Sequence, residues 1–288
     1  MLRYITNLFV FLFVIYGTVV FAYDNGVVPV NTVDSARRMI TDLVNTFGDK
    51  YSGGADYLKQ LDAIEARIKA NGDDETACAE LDSLIRTASL ANPLLDFDKI
   101  LIVRRRPLGG DFGFVGLNSY TNDTVRRTGW DNELVVVSNL RGTPELKPFY
   151  RHANQAVIRD INLHFDGKRI IFSSINESGN WAIYEVDTDG KNPKELTPND
   201  QKDVDWWDAC YLPEEGYIVT GSTAGMQGLP CENGGRKMSN LYRVNTNNKT
   251  VRQLTFEQDS DWHPSVMHDG RVMYLRWEYS DIPHYMSR

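Results

Sequence analysis

The chain has 288 residues, a formal net charge of −8, a hydrophobic fraction of 42% and an aromatic fraction of 11%. These values are typical of a folded protein with one large or two modest domains, and they exclude a disordered chain. The acidic balance argues against nucleic acid as a partner, because phosphate recognition needs a basic stripe. No stretch rich in Lys and Arg predicts binding to an anionic membrane.

Residues 1–22 have the pattern of a secretory signal peptide. The stretch "MLRYITNLFVFLFVIYGTVVFA" carries one early Arg, an apolar run and small residues at Val20 and Ala22. The apolar run is short for a membrane span, and an uncleaved anchor is the alternative interpretation. We therefore predict a chain that is exported to the periplasm or the extracellular space and begins near Tyr23. Any membrane contact would be made through an uncleaved signal segment.

Three cysteines are present, and an exported protein can oxidise them. Cys210 and Cys231 flank a Gly-rich loop and are predicted to pair, with two reduced thiols as the alternative. Cys78 falls in a helical pattern and is predicted to be a buried free thiol. The chain has no Cys-x-x-Cys-His motif and no Cys or His residues at zinc spacing, so no haem, metal or other cofactor is predicted.

Residues 23–95 are predicted to form a helical segment of about three helices. Apolar residues recur at helical spacing in three successive stretches. We expect Asp34 to cap the start of the first helix and Gly48 to end it. Asn71 and Gly72 mark the end of the second helix, and Pro93 breaks the pattern after the third.

Residues 96–288 are predicted to form β-propeller blades. The stretches "RDINLHFDGKRIIFSS", "DACYLPEEGYIVTGS" and "HPSVMHDGRVMYLRW" each contain an approach segment, a turn with a glycine, and an apolar strand. "WAIYEVDTDGKNPKELT" matches "SNLYRVNTNNKTVRQLT" in the same way. A period of about 50 residues with four strands per unit is typical of a propeller.

The number of repeats predicts an incomplete ring. About three to four four-stranded blades fit into the chain, whereas propellers usually close with four to eight. We predict part of a six- or seven-bladed ring, either because the natural protein is longer or because a partner completes it. An open end would leave an apolar blade face and a sheet edge exposed.

These repeats resemble the TolB-like propellers, whose WD40-like (PD40) repeats contain "FDGKRIIFSS", "IYEVDTDGK" and a closing "LT". The order of the motifs over residues 95–288 resembles the middle propeller region of hydrazine synthase alpha-subunit-like proteins. The resemblance implies a propeller fold and an exported setting. Some members of that family carry c-type haem, but the motif is missing here, so hydrazine synthesis is not implied.

The stretch near the C-terminus carries the first candidate site. Arg276, Glu278 and Asp281 alternate with Trp277 and Tyr279 along one predicted strand. The first interpretation is a polar binding cluster at the propeller rim or channel. The alternative is a blade strand whose charges pair with neighbours. The earlier repeats have no equivalents of the three charged residues, so any partners are expected outside this chain.

His263 is the second candidate for binding, with Asp205 and Asp261 as possible helpers. The alternative for both aspartates is that each ties a loop to backbone N–H groups where the chain enters a blade. His268 falls at a turn position that the other repeats fill with different residue types. We therefore predict a turn residue there and not a ligand.

Two further stretches are weak candidates. Residues 104–107, with Arg126 and Arg127, have the charge to grip an anion, but a solvated strand end balanced by acidic residues is preferred. "GGDFGFVG" lacks the remainder of a phosphate-binding motif. No nucleophile motif is present, so no catalytic residue is predicted.

The sequence therefore favours an exported propeller that acts as a binding or interaction module without catalysis of its own. Its ligand would be a protein, a peptide or a glycan at the loop face, where the long insertion "TAGMQGLPCENGGRKMS" lies. The alternative is a propeller scaffold from a larger exported haem-containing redox enzyme.

Overall fold

A computed structural model describes residues 30–71, 75–108, 125–228, 235 and 237–277. The chain divides into two compact units, residues 1–100 with 137–147, and residues 101–136 with 148–288. The predicted signal peptide lies outside the described residues. Within the described part of the chain, no helix has both the length and the apolar character needed to cross a bilayer.

Among its described residues, the first unit contains three α-helices, as predicted: α1 (Val30–Phe47), α2 (Gly54–Asn71) and α3 (Glu75–Leu90). Each helix buries one apolar stripe in a shared core that includes Ile40, Leu61 and Leu81, all fully buried. This amphipathic pattern is why short helices are stable here, since packing rather than helix propensity supplies most of their stability.

Two of the predicted helix ends are confirmed by the structure, and one is wrong. Gly48 follows the last residue of α1 with φ of 53°, which favours glycine, and α2 ends at Asn71 as predicted. The prediction for Asp34 was wrong, because α1 begins at Val30 and Asp34 lies one turn inside it. The buried stripe already includes Val33, which precedes Asp34, so the helix extends further toward the N-terminus.

The prediction that Cys78 is buried was also wrong. Its side chain is only partly buried beside the helical core. The buried stripe of α3 runs through its neighbour Ala77 and then through Leu81 and Leu84. Cys78 therefore lies at the margin of this stripe.

The second unit is a partial β-propeller, which confirms the predicted fold class. Its antiparallel sheets are numbered as blades 1 to 4 in chain order. Among the described residues, blades 2 and 3 have four strands, blade 1 has three and blade 4 has two. The strands are β1 (Ile100–Pro107), β2 (Trp130–Ser138) and β3 (Glu145–Tyr150) in blade 1; β4 (Arg159–Leu163), β5 (Arg169–Ile175), β6 (Trp181–Asp187) and β7 (Lys194–Glu195) in blade 2; β8 (Trp206–Tyr211), β9 (Tyr217–Ser222), β10 (Asn240–Asn245) and β11 (Val251–Gln253) in blade 3; and β12 (Ser260–Val266) and β13 (Val272–Trp277) in blade 4.

The repeated glycine turns form as the sequence predicts. Gly167, Gly216 and Gly270 join the first strand of blades 2, 3 and 4 to the second, with φ values of 68°, 81° and 85°. Residues with a Cβ rarely adopt this conformation, so glycine at this position sets the hairpin.

Neighbouring blades pack through a repeated arrangement. Ile171 on β5 shares a core cluster with Trp206 and Tyr211 on β8. One blade later, Val219 on β9 shares a cluster with Tyr274 on β13. One face of the second strand in each of blades 2 and 3 is thus covered by the next blade.

Residues 104–107 form the end of β1, and the Arg104 and Arg106 side chains are 38% and 73% exposed there, in agreement with the preferred interpretation. The Arg105 side chain is instead partly buried, and it donates from Nε to Asn132 Oδ1 at 3.0 Å and from Nη2 to the Ile158 carbonyl. Burial lowers the pKa of Arg105 to about 10. Arg104 and Arg106 point to the other face and pair with carboxylates of β2. Alternation along β1 turns the middle arginine inward.

Candidate functional site

One position recurs on three successive blades with an uncommon backbone conformation. Asp160, Asp208 and His263 lie on the first strands of blades 2, 3 and 4 with φ of 50°, 59° and 53°. Each lies where its strand shifts register against the second strand, as in a β-bulge. Such conformations cost energy and occur often at functional sites, where they re-aim a side chain.

These three residues, with Arg159 and Ser173, are here called the first-strand cluster. The backbone N–H of Asp208 donates to Ser173 Oγ at 2.8 Å. The backbone N–H of His263 donates to Asp208 Oδ2 at 2.6 Å, and His263 Nδ1 lies 2.5 Å from the same oxygen. The cluster therefore links blades 2, 3 and 4 through side chains that are not part of the sheet ladders.

The cluster is mostly buried and opens to solvent at one residue. The exposed fractions of the Arg159, Asp160 and Asp208 side chains are 10%, 11% and 13%, whereas that of His263 is 42%. Arg159 Nε lies 3.7 Å from Asp160 Oδ1. Asp160 Oδ2 is buried without a hydrogen-bond partner among the described residues. Only the imidazole of His263 is therefore widely accessible to a ligand.

Burial and neighbouring charges shift two pKa values in the cluster. Burial raises the pKa of Asp160, and the nearby Asp208 carboxylate raises it further, against an opposing effect of Arg159. The hydrogen bond to Asp208 raises the pKa of His263, against a smaller opposing effect of burial. Both shifts favour the protonated forms, a neutral carboxyl at Asp160 and an imidazolium at His263.

The structure places the predicted site residue His263 in this cluster but gives it a different partner. Asp205 Oδ1 instead accepts the backbone N–H of Trp181 at 2.9 Å, which is the loop-anchoring role considered as the alternative. Asp261 accepts from an arginine side chain of β13. The helper hypothesis for these aspartates was therefore wrong, and the partner of His263 is Asp208. His268 is exposed in its turn, as the repeats predict.

Arg276 forms its ion pairs close to its own blade. Its Nε donates to Asp261 Oδ1 at 3.0 Å, its Nη2 donates to the Tyr274 hydroxyl at 3.0 Å, and its Nη1 lies 3.5 Å from Glu257 Oε2. The expectation that its partners lie outside this chain is thus corrected. The other two residues of the predicted binding cluster, Glu278 and Asp281, lie outside the described residues. A binding role for these three residues stays a prediction.

Only one of the two cysteines in the predicted disulfide lies among the described residues. Cys210 is a buried free cysteine, and burial raises the pKa of its thiol to about 12. Cys231 lies outside the described residues, so the pairing stays a prediction.

Blade 4 exposes the face that the preceding blades bury. In blades 2, 3 and 4, the same backbone hydrogen bond closes the turn between the first two strands, which aligns the second strands residue by residue. Met273 of blade 4 then corresponds to Ile171 and Val219. Met273 is 60% exposed, whereas its counterparts are 0% and 1% exposed. Leu275, on the same face, is 44% exposed, and the two residues are here called the blade 4 face.

Comparison with known proteins gives similarity at the level of solved structures. No protein-family model and no curated protein sequence matches the chain. TolB from Acinetobacter baumannii is 21% identical with a TM-score of 0.36, over 50% of this chain and 32% of that one. A putative TolB from Agrobacterium tumefaciens is 19% identical with a TM-score of 0.37, over 50% and 45%. The β-propeller domain of the Trilobed protease from Pyrococcus furiosus is 14% identical with a TM-score of 0.32, over 54% and 44%. The chain thus spans less than half the length of these structures, and the propeller architecture rests on the sheets described above.

Proposed function

We propose that this chain is an exported binding module whose blade 4 face is covered by a β-sheet of a protein partner. The observation that carries the proposal is the 60% exposure of Met273 at a position that is buried in blades 2 and 3. Contiguous exposed apolar residues on a folded protein are typical of interaction sites. Export is supported by the signal-peptide pattern of residues 1–22.

The internal repeat suggests the kind of surface that fits. Ile171, the counterpart of Met273, packs in a cluster with Trp206 and Tyr211 from the first strand of the following blade. A partner sheet that presents aromatic or aliphatic side chains in the same way would cover Met273 and Leu275. The proposal requires no cofactor in this chain.

The gain from covering this face is modest and suits one part of a larger interface. Full burial of a Met or Leu side chain contributes about 1.5–3 kcal/mol. Scaled by the exposed fractions of Met273 and Leu275, 60% and 44%, the two residues contribute about 2 kcal/mol together. The remaining affinity would come from other contacts, including the loop face. The alternative of a scaffold from a larger exported redox enzyme rests on the sequence resemblance alone.

Photo-crosslinking tests the proposal. A photoreactive amino acid replaces Met273 in one variant and Phe165 in a control, since Phe165 is 64% exposed in a turn of blade 2. Both variants are exported in the native host and irradiated. We expect position 273 to crosslink to a strand of a distinct protein, with little crosslinking from position 165. Crosslinks from position 273 that lie only within the same polypeptide, or equal yields at both positions, would overturn the proposal.

A further inference from the structure

We propose that the first-strand cluster binds a carboxylate group through the Nε2–H of the His263 imidazolium. This site lies on the first strands of blades 2 to 4, whereas the proposed partner surface lies on the second strand of blade 4. The two proposals therefore depend on different residues and can fail independently.

The geometry leaves one ring nitrogen for a ligand. Asp208 Oδ2 accepts from the backbone N–H of His263 and lies 2.5 Å from its Nδ1, so Nδ1 carries a proton in both charge states. Nε2 is then the atom that gains or loses a proton. Among the described residues, no hydrogen-bond partner of Nε2 is found, and the side chain is 42% exposed. A hydrogen-bond donor of fixed orientation is therefore presented to solvent.

The backbone also holds this donor in place. His263 adopts φ of 53°, and its backbone N–H is bound by the same carboxylate that orients its ring. Asp208 is fixed in turn by the bond between its own N–H and Ser173 Oγ. A site whose groups are already ordered loses less entropy when a ligand binds.

The charges around the imidazole select the sign and the number of charges of the ligand. Arg159 and the imidazolium are positive, Asp208 is negative, and burial raises the pKa of Asp160, which favours its neutral form. These are the charged and titratable residues of β4 and β8 that face His263. The imidazolium and Arg159 attract an anionic ligand, and a singly charged carboxylate can approach the exposed Nε2–H. A dianion such as phosphate would leave an excess of negative charge beside Asp208.

Two sources supply such a group, the C-terminal carboxylate of a peptide and an acidic side chain. NMR of the imidazole groups in the full chain distinguishes them with three tetrapeptide probes. The first is tetraglycine with a free C-terminus, the second is amidated tetraglycine, and the third is an amidated tetrapeptide with one Glu. The chain has five histidines, so the His263 resonance can be assigned by substitution.

We expect saturable movement of the His263 resonance at about pH 6 with the first probe, the third probe or both, and none with the second. Affinity should fall about tenfold for each pH unit above the pKa of His263, because the imidazolium is lost. Movement with the first probe alone identifies a peptide C-terminus, and movement with the third alone identifies an acidic side chain. No movement with any probe, or equal movement with all three, would overturn the proposal.

Two variants separate binding from folding. His263→Asn removes the titrating group, and Asn tolerates the left-handed conformation of this position better than most residues. His268→Asn is the matched control, because His268 is exposed in the turn of the same blade. Binding to both variants is measured by calorimetry, because the first variant has no His263 resonance. We expect pH-dependent binding to be lost in the first variant and kept in the second, with unchanged amide exchange of β12 in both. Binding that persists in His263→Asn with the same pH dependence would refute the role of His263.

Discussion

Asp205 joins blades 2 and 3, and its substitution gives the sharpest test of the packing. Its Oδ1 accepts the buried N–H of Trp181 at 2.9 Å, and its Oδ2 lies 3.1 Å from Arg127 Nη2. Asp205→Ala leaves that N–H buried and unsatisfied, which costs about 1–3 kcal/mol. The pair with Arg127 adds less than about 1 kcal/mol, because the Arg127 side chain is one-third exposed. The expected loss of unfolding free energy is therefore about 2–3 kcal/mol.

A second substitution at the same position divides this loss. Asp205→Asn keeps an oxygen for the Trp181 N–H and removes only the charge, so the expected loss is about 1 kcal/mol. Urea unfolding followed by Trp fluorescence measures both values, and amide exchange of Trp181 reports the local effect. Asp200→Ala, at an exposed position, is the control. Equal losses for the two variants, or a value for Asp205→Ala within about 0.5 kcal/mol of wild type, would refute this reasoning.

Three further predictions follow from the pairs described above. The hydrogen bond to Asp208 raises the pKa of His263 above 6.5. This bond therefore contributes its full stabilisation of the fold below about pH 6.5, and the contribution is lost as the pH rises through the raised pKa. The substitution Asp208→Asn should remove this dependence of the unfolding free energy on pH. Arg276→Met should cost about 2–3 kcal/mol in urea unfolding, because Asp261 is fully buried; a loss below about 0.5 kcal/mol would contradict the pairing. Thiol counting on the denatured, unreduced protein tests the predicted disulfide, because Cys210 is a free thiol in the structure; one free cysteine would establish the pairing of Cys210 with Cys231, and three would exclude it.

The repeats predict the propeller because they are set by local rules. The turn glycines and the alternation of apolar residues fix the hairpins of blades 2, 3 and 4 without knowledge of the tertiary structure. The inward orientation of Arg105 was missed for the opposite reason. A run of three arginines indicates a solvated strand end, and only the packing of β1 shows that the middle arginine points inward.

The first-strand cluster was only partly predictable. The quoted repeats already place Asp160, Asp208 and His263 in one column, directly before the stretches "INL", "ACY" and "PSV". The shared feature of this column is a backbone conformation, which residue identity alone does not reveal. His263 was recognised by its type, whereas its partner was sought at Asp205 and Asp261, the aspartates that recur at matching places before blades 3 and 4. The register shift in each first strand brings Asp208 to the imidazole instead.

Oxidation of methionines by peroxide tests the central proposal most directly. Met273 is 60% exposed, and Met238, which is 3% exposed, is an internal reference. The rate of sulfoxide formation is measured by mass spectrometry on the purified chain and on the same chain in the intact compartment to which it is exported. We predict rapid oxidation of Met273 in the purified chain and strong protection in the compartment, with Met238 slow in both. Equal reactivity of Met273 in the two settings would contradict a partner that covers the blade 4 face.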